Sequence, residues 1–311
     1  ILGCTATAND RVVNDVADQL GAELTTFRGP LRREGLALST IRLDRQAERL
    51  AWLADTLPRL EGSGIVYCLT VRDVENVAAW LTSQGIEVEA YFGSLDNNAR
   101  IEAERKLQTN EIKALVATTA LGMGYDKPDL SFVVHFQSPG SPVAYYQQVG
   151  RAGRALETSR GILLRGQEDE QIQDWFIEQA FAEEHLVNDI VNAFDSFDGP
   201  VSLMAIQVKL NVKIGTLELV VKQLDVDGVL ERVAGTSYQR TLAPWTYPAS
   251  RVEAVTIERR LEQQAMVDYF HTTGCRMRFI ANLLDDPAAG VSEITVSRFL
   301  KRAGFKGLQG L

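Results

Sequence analysis

Residues 64–70, GIVYCLT, form a short apolar run between a glycine and a threonine, which is the pattern of a buried β-strand. An amphipathic helical pattern follows at residues 71–84, and the alternation of strand and helix then continues along the chain. Strands that alternate with helices predict an α/β fold built on a doubly wound parallel sheet. The other predicted strands are 36–43, 87–93, 112–118, 132–137 and 161–166, and the other predicted helices are 44–60, 97–108 and 143–149.

Several of these strands end at residues that suit a binding site. In open parallel sheets, ligands bind at the carboxyl ends of the strands. Thr70, Gly93 and Thr118 each end a predicted strand, and a glycine-containing loop occupies residues 122–128. We therefore regard this edge of the sheet as the candidate site.

A different module follows the sheet. Residues 168–197 are acidic and helical in pattern, and Asp198-Gly199-Pro200 is a break. Helices at 202–210 and 216–225 then precede strands at 229–233 and 237–242, which is the order of a winged helix. Such a module binds DNA or packs against protein, and its second helix is not basic. Its candidate DNA contacts are Thr216, Glu218 and Lys222 on that helix, and Arg232, Tyr238 and Arg240 at the hairpin tip.

The ends of the chain are predicted to be helical. A helix is expected at residues 11–20, and a mixed, partly basic linker follows it up to the first strand. Beyond the winged-helix-like module, residues 251–284 are predicted to form a helix. A short basic helix is expected at 291–311.

Composition excludes few classes of function. The chain carries 32 Lys and Arg against 41 Asp and Glu, a net charge of −9. Residues 157–198 hold eleven acidic and two basic residues, so this segment has a net charge of −9, which equals the net charge of the whole chain. Because the rest of the chain is neutral overall, a basic groove for nucleic acid remains compatible with the sequence.

Targeting features are absent from the sequence. No apolar run approaches the ~18 residues of a membrane span, so no membrane partner is expected. Cys4, Cys68 and Cys275 are far apart, which predicts no disulfide framework and a cytoplasmic protein. The start Ile-Leu-Gly-Cys, without Met or a signal-peptide pattern, is typical of a fragment of a longer chain.

The stretch AYYQQVGRAGR, residues 144–154, carries the most specific chemistry. It places Arg151 and Arg154 on what would be adjacent turns of a helix, and each arginine directly follows a glycine. A guanidinium is always charged and its planar fork matches phosphate oxygens. Two such groups suit the arginine-finger role in NTP hydrolysis, although a solvated surface helix would also explain them.

Five blocks of the sequence resemble motifs of the RecQ-like superfamily-two DNA helicases, in the family's order and spacing. The resemblance implies a RecA-like lobe that completes an ATP site on another lobe. The blocks are GCTATA (3–8), IVYCLTVRDVENVAAWL (65–81), AYFGSLDNNAR (90–100), VATTALGMGYDKPDLSFVVHF (116–136) and YYQQVGRAGR (145–154), which resemble motifs III and IV, the next conserved segment, and motifs V and VI.

The resemblance assigns nucleotide roles to several residues. Arg151 and Arg154 would be catalytic and reach the γ-phosphate of ATP. Asp126 would accept hydrogen bonds from the ribose, or else cap its loop. Gly124 and Gln147 would also contribute to the ATP site, where Gly124 lets the backbone approach a ligand.

The same resemblance implies DNA contacts and coupling between lobes. Thr70 and Thr118 would contact the DNA backbone through hydroxyl and main-chain groups, or else cap strand ends. Thr5 and Thr7 would link the ATP state to the grip on DNA, or else end a buried strand. The remaining expected nucleic-acid contacts are Arg72, Gly93 and Arg240.

Cys275 resembles the first zinc ligand of these proteins. Residues 274–287, GCRMRFIANLLDDP, resemble the helix that precedes a cysteine cluster, but no such cluster follows in this sequence. Since a structural Zn²⁺ site needs four ligands, the alternatives are a site whose other cysteines lie in a segment skipped near Ala289, a lost site, or a buried thiol.

The nucleotide-binding half of a helicase is missing from this sequence. The 311-residue sequence contains neither GxxxxGK[ST] nor a DExH box, so the phosphate cradle and the Mg²⁺ ligands would belong to the first lobe. The 311 residues alone are expected to hydrolyse nothing. The expected division is 1–24 (end of the first RecA-like lobe), 25–167 (second RecA-like lobe), 168–198 (acidic helical linker), 199–248 (winged-helix-like module) and 249–311 (helical region resembling the zinc segment, with a basic helix).

The resemblance implies that the whole protein is an ATP-dependent DNA helicase moving 3′-to-5′ on single-stranded DNA. Its cofactors would be ATP and Mg²⁺, with Zn²⁺ as a further candidate. A duplex translocase that never unwinds remains an alternative, as does a non-catalytic winged-helix DNA or protein adaptor on a degenerate lobe. The sequence does not distinguish DNA from RNA as the track.

Overall fold

A computed structural model describes residues 10–21, 31, 33, 35–121 and 125–286. The chain divides into two compact units, one formed by residues up to 173 together with those from 261 onward, and one formed by residues 174–260. Among the described residues, no helix is both long enough and apolar enough to cross a membrane.

A six-stranded sheet forms the centre of the first unit. Its strands are β1 (Leu36–Arg42), β2 (Ser63–Tyr67), β3 (Val88–Tyr91), β4 (Ala114–Ala117), β5 (Leu130–His135) and β6 (Ser159–Arg165). They lie in the order β1-β6-β5-β2-β4-β3, and every pairing is parallel. This confirms the predicted α/β fold with a parallel sheet.

Eleven α-helices are described along the chain, in addition to a short 3₁₀ turn at Leu57–Arg59. They are α1 (Asp10–Leu20), α2 (Gln46–Thr56), α3 (Val71–Ser83), α4 (Asn97–Gln108), α5 (Pro142–Val149), α6 (Asp169–Glu178), α7 (Glu184–Asp195), α8 (Leu203–Leu210), α9 (Ile214–Val226), α10 (Ala249–His271) and α11 (Arg276–Leu283).

Both faces of the sheet are covered, because successive side chains of a strand point to opposite faces. In β2, Ile65 and Tyr67 belong to a core that also contains residues of α4, α5, α10 and α11. Val66 belongs to the other core, which α2 and α3 complete. The continuous apolar runs of the strands follow from this two-sided burial.

The predicted C-terminal helix at 251–284 is interrupted. α10 ends at His271 and α11 begins at Arg276. Between them, the Gly274 N–H donates to Thr272 Oγ1 at 3.3 Å, which closes a turn. A β-branched pair followed by glycine is a poor helix continuation, which explains the break. The predicted helix at 291–311 lies outside the described residues.

The second unit has its own small sheet and core. Strands β7 (Val201–Ser202), β8 (Leu230–Ala234) and β9 (Ser237–Arg240) pair antiparallel in the order β7-β9-β8. The predicted helix pair and hairpin are present as α8, α9, β8 and β9, whereas the two-residue β7 was too short to predict. Although the sequence analysis assigned 168–198 to a linker, Ile190 and Phe194 of α7 are buried in this core.

Candidate nucleotide and nucleic-acid site

The two arginines of the motif VI block lie beyond a helix rather than on its turns. α5 begins at Pro142, after the N-cap Ser141, whose side chain accepts from the Ala144 N–H at 3.1 Å, and it ends at Val149. Arg151 and Arg154 therefore lie in an irregular segment, and the expectation that they occupy adjacent turns is wrong. The glycines before them end the helix early, since glycine is a poor helix former.

Gly153 fixes the path of this segment. Its φ of 71° lies in the left-handed region, and a side chain here would collide with Ser159 Oγ. The Gly153 N–H donates to the Leu130 carbonyl at 2.8 Å, and the Ala155 N–H donates to the Pro128 carbonyl at 2.9 Å. The arginine-bearing segment is thereby held along the motif V residues.

This arrangement brings Arg154 and Asp126 together. Arg154 Nη1 lies 2.8 Å from Asp126 Oδ1, with 44% and 60% of the two side chains exposed. An exposed pair of this kind contributes little to stability and is readily exchanged for another partner. The pairing joins two residues that sequence analysis had placed in one ATP site for different reasons.

Arg151 is held more deeply than Arg154. Its Nη1 donates to the Tyr125 carbonyl at 2.9 Å. Burial raises the pKa of Tyr67 to about 12, and the nearby Arg151 charge acts in the opposite direction. Tyr67 was not among the predicted site residues.

The strand-end threonines have capping roles in the structure. Thr70 is the N-cap of α3, where its Oγ1 accepts from the Asp73 N–H at 3.1 Å and donates to Asp73 Oδ2 at 2.7 Å. The Thr118 N–H donates to the Tyr91 carbonyl at 3.1 Å, and its Oγ1 accepts from the Ala120 N–H at 3.3 Å. The capping alternative therefore holds for both threonines, and a DNA contact would be additional to it.

Other residues predicted to contact nucleic acid or ATP are exposed to solvent. Arg72, in the first turn of α3, and Gly93, after β3, are both exposed. A side chain at Gly93 would come no nearer than 3.8 Å to Ala120 Cβ, which places the loops after β3 and β4 side by side. Gln147 is exposed on α5. Gly124 lies outside the described residues.

Sequence reasoning missed a buried polar link at this edge. Gln137, which follows β5, accepts from the Leu69 N–H at 3.0 Å and donates to Asp73 Oδ2 at 3.0 Å. It therefore ties the end of β5 to the end of β2 and to the cap of α3. The signal was a polar residue at the end of the apolar run 132–137.

Arg240 is wrongly placed by the sequence analysis. It pairs with Leu230 at the base of the β8–β9 hairpin, not at the tip. Its guanidinium lies near Asp195, with a shortest N–O distance of 3.1 Å, and only 18% of its side chain is exposed. It donates to three carbonyls, those of Val229, Thr241 and Ala243.

The hairpin and α9 carry the other predicted DNA contacts of the second unit. Tyr238, which was predicted at the hairpin tip, is wrong as a DNA contact, because it pairs with Val201 and Arg232 within the sheet and is buried in this unit's core. Arg232 is exposed near the tip, where its Nε donates to the Gly235 carbonyl at 2.7 Å. On α9, Lys222 is exposed together with Glu218 and Asp225. This face is not basic, and it offers DNA little electrostatic attraction.

Cys275 is an exposed free thiol at the N-cap position of α11, so the alternative of a buried thiol is wrong. Within the described ranges, no group of three or more His, Cys, Asp or Glu side chains could hold a metal ion. The residues described here therefore do not form the predicted zinc site. Thr5 and Thr7, the predicted coupling residues, lie outside the described residues.

Comparisons with known proteins match the central part of the chain. Residues 48–156 match the helicase conserved C-terminal domain. The chain is 36% identical over 172 residues to the RecQ-like DNA helicase blm-1 of Caenorhabditis elegans, covering 54% of this chain and 17% of that protein. It is 30% identical over 242 residues to the ATP-dependent DNA helicase RecQ of Synechocystis, covering 75% of this chain and 48% of that protein.

One solved structure that aligns with the chain is S. cerevisiae Dbp5 bound to RNA and ADP BeF3, at 22% identity and a TM-score of 0.49, covering 55% of this chain and 48% of that one. This chain spans less than half the length of either helicase relative named above. The domain match covers strands β2 to β5 together with Arg151 and Arg154. The two sequence relatives are also helicases by name. The chain therefore contains a helicase conserved C-terminal domain, and over this part of its sequence it is similar to RecQ-like DNA helicases.

Proposed function

We propose that this chain is the C-terminal motor lobe, with accessory modules, of an ATP-dependent DNA helicase that moves 3′-to-5′ on single-stranded DNA. The observation that carries the proposal is the convergence of Arg151, Arg154 and Asp126 beside one loop. The similarity to an ATP-dependent DNA helicase and to a RecQ-like DNA helicase supports the same activity.

The donor set at this place fits a nucleoside triphosphate. Two guanidinium groups would donate hydrogen bonds to phosphate oxygens, and the Asp126 carboxylate would accept from ribose hydroxyls. ATP, when bound, supplies a γ-phosphoryl group whose negative charge is redistributed during hydrolysis. Because the Arg154–Asp126 pair is exposed, exchanging it for these partners costs little.

The phosphate cradle and the Mg²⁺ ligands would belong to a first lobe. This sequence lacks GxxxxGK[ST] and an acidic DExH box, so the two arginines would complete a pocket formed mainly elsewhere. DNA would lie along the edge that carries Thr70, Arg72, Gly93 and Thr118. Hydroxyl and main-chain groups there would position the strand without reading its sequence.

An ATPase assay on the full-length protein tests the arginine assignment. Arg151→Ala and Arg154→Ala should each lower the DNA-stimulated turnover by more than about tenfold, since arginine fingers contribute roughly 10³–10⁵ in related enzymes. Arg105→Ala is the matched control, because Arg105 is an exposed arginine on α4 paired with Glu102 and Glu111. A loss smaller than about tenfold (1.4 kcal/mol) for both site variants would leave a non-catalytic adaptor as the better description.

Two substrates separate the helicase from a duplex translocase. A helicase should show ATPase stimulation by single-stranded DNA and should separate the strands of a forked duplex. Stimulation by duplex DNA without strand separation would instead indicate translocation alone. Single-stranded RNA of the same sequence, used in parallel, reports which sugar the track requires.

A further inference from the structure

We propose that Lys127 is a positioning residue for Asp126, and that its ion pair with Asp129 thereby sets the preference of the site for a ribose nucleotide; this inference rests on the proposed function. Asp126 is exposed, whereas none of the Lys127 side chain is exposed. Lys127 Nζ lies 2.6 Å from Asp129 Oδ1. Because a buried ammonium group is costly unless it is paired, this contact holds Lys127 inward while its neighbour Asp126 faces solvent.

A tight turn connects the two charged groups. The Leu130 N–H donates to the Lys127 carbonyl at 3.3 Å. Pro128 occupies the second position of this turn, where the fixed φ of proline is favoured. The ion pair between Lys127 and Asp129 spans the same turn. The backbone directly after Asp126 is therefore fixed by a main-chain hydrogen bond and by a buried charge.

Asp129 anchors this turn to the sheet of the first unit. Asn110 Nδ2 donates to Asp129 Oδ2 at 3.1 Å, and Ser63 Oγ donates to Asn110 Oδ1 at 2.7 Å. Ser63 is buried and is the first residue of β2, an inner strand of the sheet. A continuous chain of polar contacts therefore runs from this strand to Lys127, the residue that follows Asp126.

The arginine-bearing segment holds the same turn. The Ala155 N–H donates to the Pro128 carbonyl at 2.9 Å. The preceding residue, Arg154, pairs with Asp126 at 2.8 Å. The Asp126 carboxylate is therefore presented from a backbone that is tied both to the sheet and to the arginine-bearing segment.

A fixed direction matters for Asp126, because hydrogen bonds weaken steeply when donor and acceptor are poorly aligned. In the proposed site this carboxylate exchanges Arg154 for the ribose hydroxyls. Without the Lys127 charge, the turn loses its anchor and the carboxylate gains directions that do not reach the sugar. The preference for a sugar that carries hydroxyls should then fall. A general loss of stability would slow all nucleotides equally and leave their ratio unchanged.

The test is Lys127→Met in the full-length protein, assayed for hydrolysis of ATP and of 2′,3′-dideoxy-ATP with saturating single-stranded DNA. The ratio of the two kcat/KM values measures the preference for ribose. We expect a ratio of about ten for the wild type, as for one hydrogen bond to a charged group. The variant should lower this ratio at least about threefold, because a displaced carboxylate no longer meets the hydroxyls.

Lys106→Met is the matched control. Lys106 also forms an ion pair with a carboxylate, that of Glu89, but it lies on α4 and has no contact with the turn after Asp126 among the described residues. This variant should keep the wild-type ratio. A fall in the ratio equal to that of Lys127→Met would show that the loss of any such ion pair lowers it, and the inference would be overturned.

Asp126→Ala separates the inference from the proposed function. It should lower the ratio at least as far as Lys127→Met, and adding Lys127→Met to it should lower the ratio no further. If Asp126→Ala lowers the ratio while Lys127→Met keeps the wild-type value, the inference fails and the ribose role of Asp126 stands. If Asp126→Ala keeps the wild-type ratio, both fail.

A second variant keeps the test decisive if thermal unfolding shows that Lys127→Met does not fold. Asn110→Gly removes the amide that donates to Asp129, and glycine readily adopts the φ of 59° at this position. A lower ratio for Asn110→Gly supports the anchoring of Asp126 through this turn. An unchanged ratio, with Asp126→Ala lowering it, overturns the inference.

Discussion

The hydroxyl of Tyr269 donates a hydrogen bond to the hydroxyl of Tyr145 at 2.9 Å, and both rings are fully buried. Tyr145 is on α5 and Tyr269 is on α10, 124 residues later in the chain. The two rings lie 4.9 Å apart at a tilt of 52°. Burial raises the pKa of each phenol, to about 12 for Tyr269, so both remain neutral at physiological pH. The contact fastens the C-terminal helical segment to the helix that leads to the arginines.

Tyr269→Phe should lower the free energy of unfolding by about 1–3 kcal/mol, because it leaves the Tyr145 hydroxyl buried without its partner. The double variant Tyr145→Phe/Tyr269→Phe should recover part of that loss, since it removes both polar groups. Denaturant unfolding of the wild type, the two single variants Tyr145→Phe and Tyr269→Phe, and the double variant gives the coupling energy. Strictly additive losses would mean that the two hydroxyls do not depend on each other.

Gly153→Ala should be more damaging than the same change at another left-handed glycine. Gly85 has a φ of 77° and Gly153 a φ of 71°, so both alanines carry similar backbone strain of about 1 kcal/mol. A side chain at Gly85 meets no described atom within 4 Å, whereas at Gly153 it collides with Ser159. We expect Gly153→Ala to lose about 1–3 kcal/mol beyond the loss at Gly85, the range for overpacking. Equal melting temperatures for the two variants would contradict this.

The sheet could be predicted from sequence because its signal is local. Each strand is a short apolar run, and helix α3 begins directly after Thr70 as its capping residue requires. Boundaries were less accurate: the strand predicted at 87–93 spans only Val88–Tyr91. The motif residues Arg154 and Asp126 were both found, but their ion pair was not, since it depends on how two loops are brought together.

The missed parts of the site depend on contacts between distant residues. Tyr67, His135, Tyr145 and Tyr269 form one row of rings, yet each reads in sequence as an ordinary core residue. The prediction for Arg240 was wrong because a basic residue near a hairpin suggests a surface contact with DNA. No local sequence pattern shows that Arg240 donates hydrogen bonds to three nearby carbonyls.

Asp169 should make stability depend on pH. Burial raises its pKa to about 7, opposed by the Ser138 N–H at 2.8 Å and by the Arg49 charge. The folded state therefore holds a proton that the unfolded state releases near pH 4, so this group's contribution to stability is present at low pH and is lost as pH rises from about 4 to about 7. Asp169→Asn cannot titrate. The difference in melting temperature between wild type and this variant should change across that interval, and a constant difference would contradict the assignment.

Arg240→Ala should destabilise the second unit. The substitution removes hydrogen bonds to three carbonyls and the ion pair with Asp195. We expect a loss of about 2 kcal/mol, because backbone acceptors that are partly buried would lose a charged donor. Arg232→Ala is the control, since Arg232 is an exposed arginine of the same hairpin whose Nε donates to the Gly235 carbonyl, and exposed substitutions usually change stability by less than about 0.5 kcal/mol. Thermal unfolding measures both. DNA affinity of both variants, measured at one salt concentration, is the second measurement. If Arg240→Ala weakens DNA binding while the melting temperature is unchanged, Arg240 contacts DNA and its structural role in the second unit is wrong.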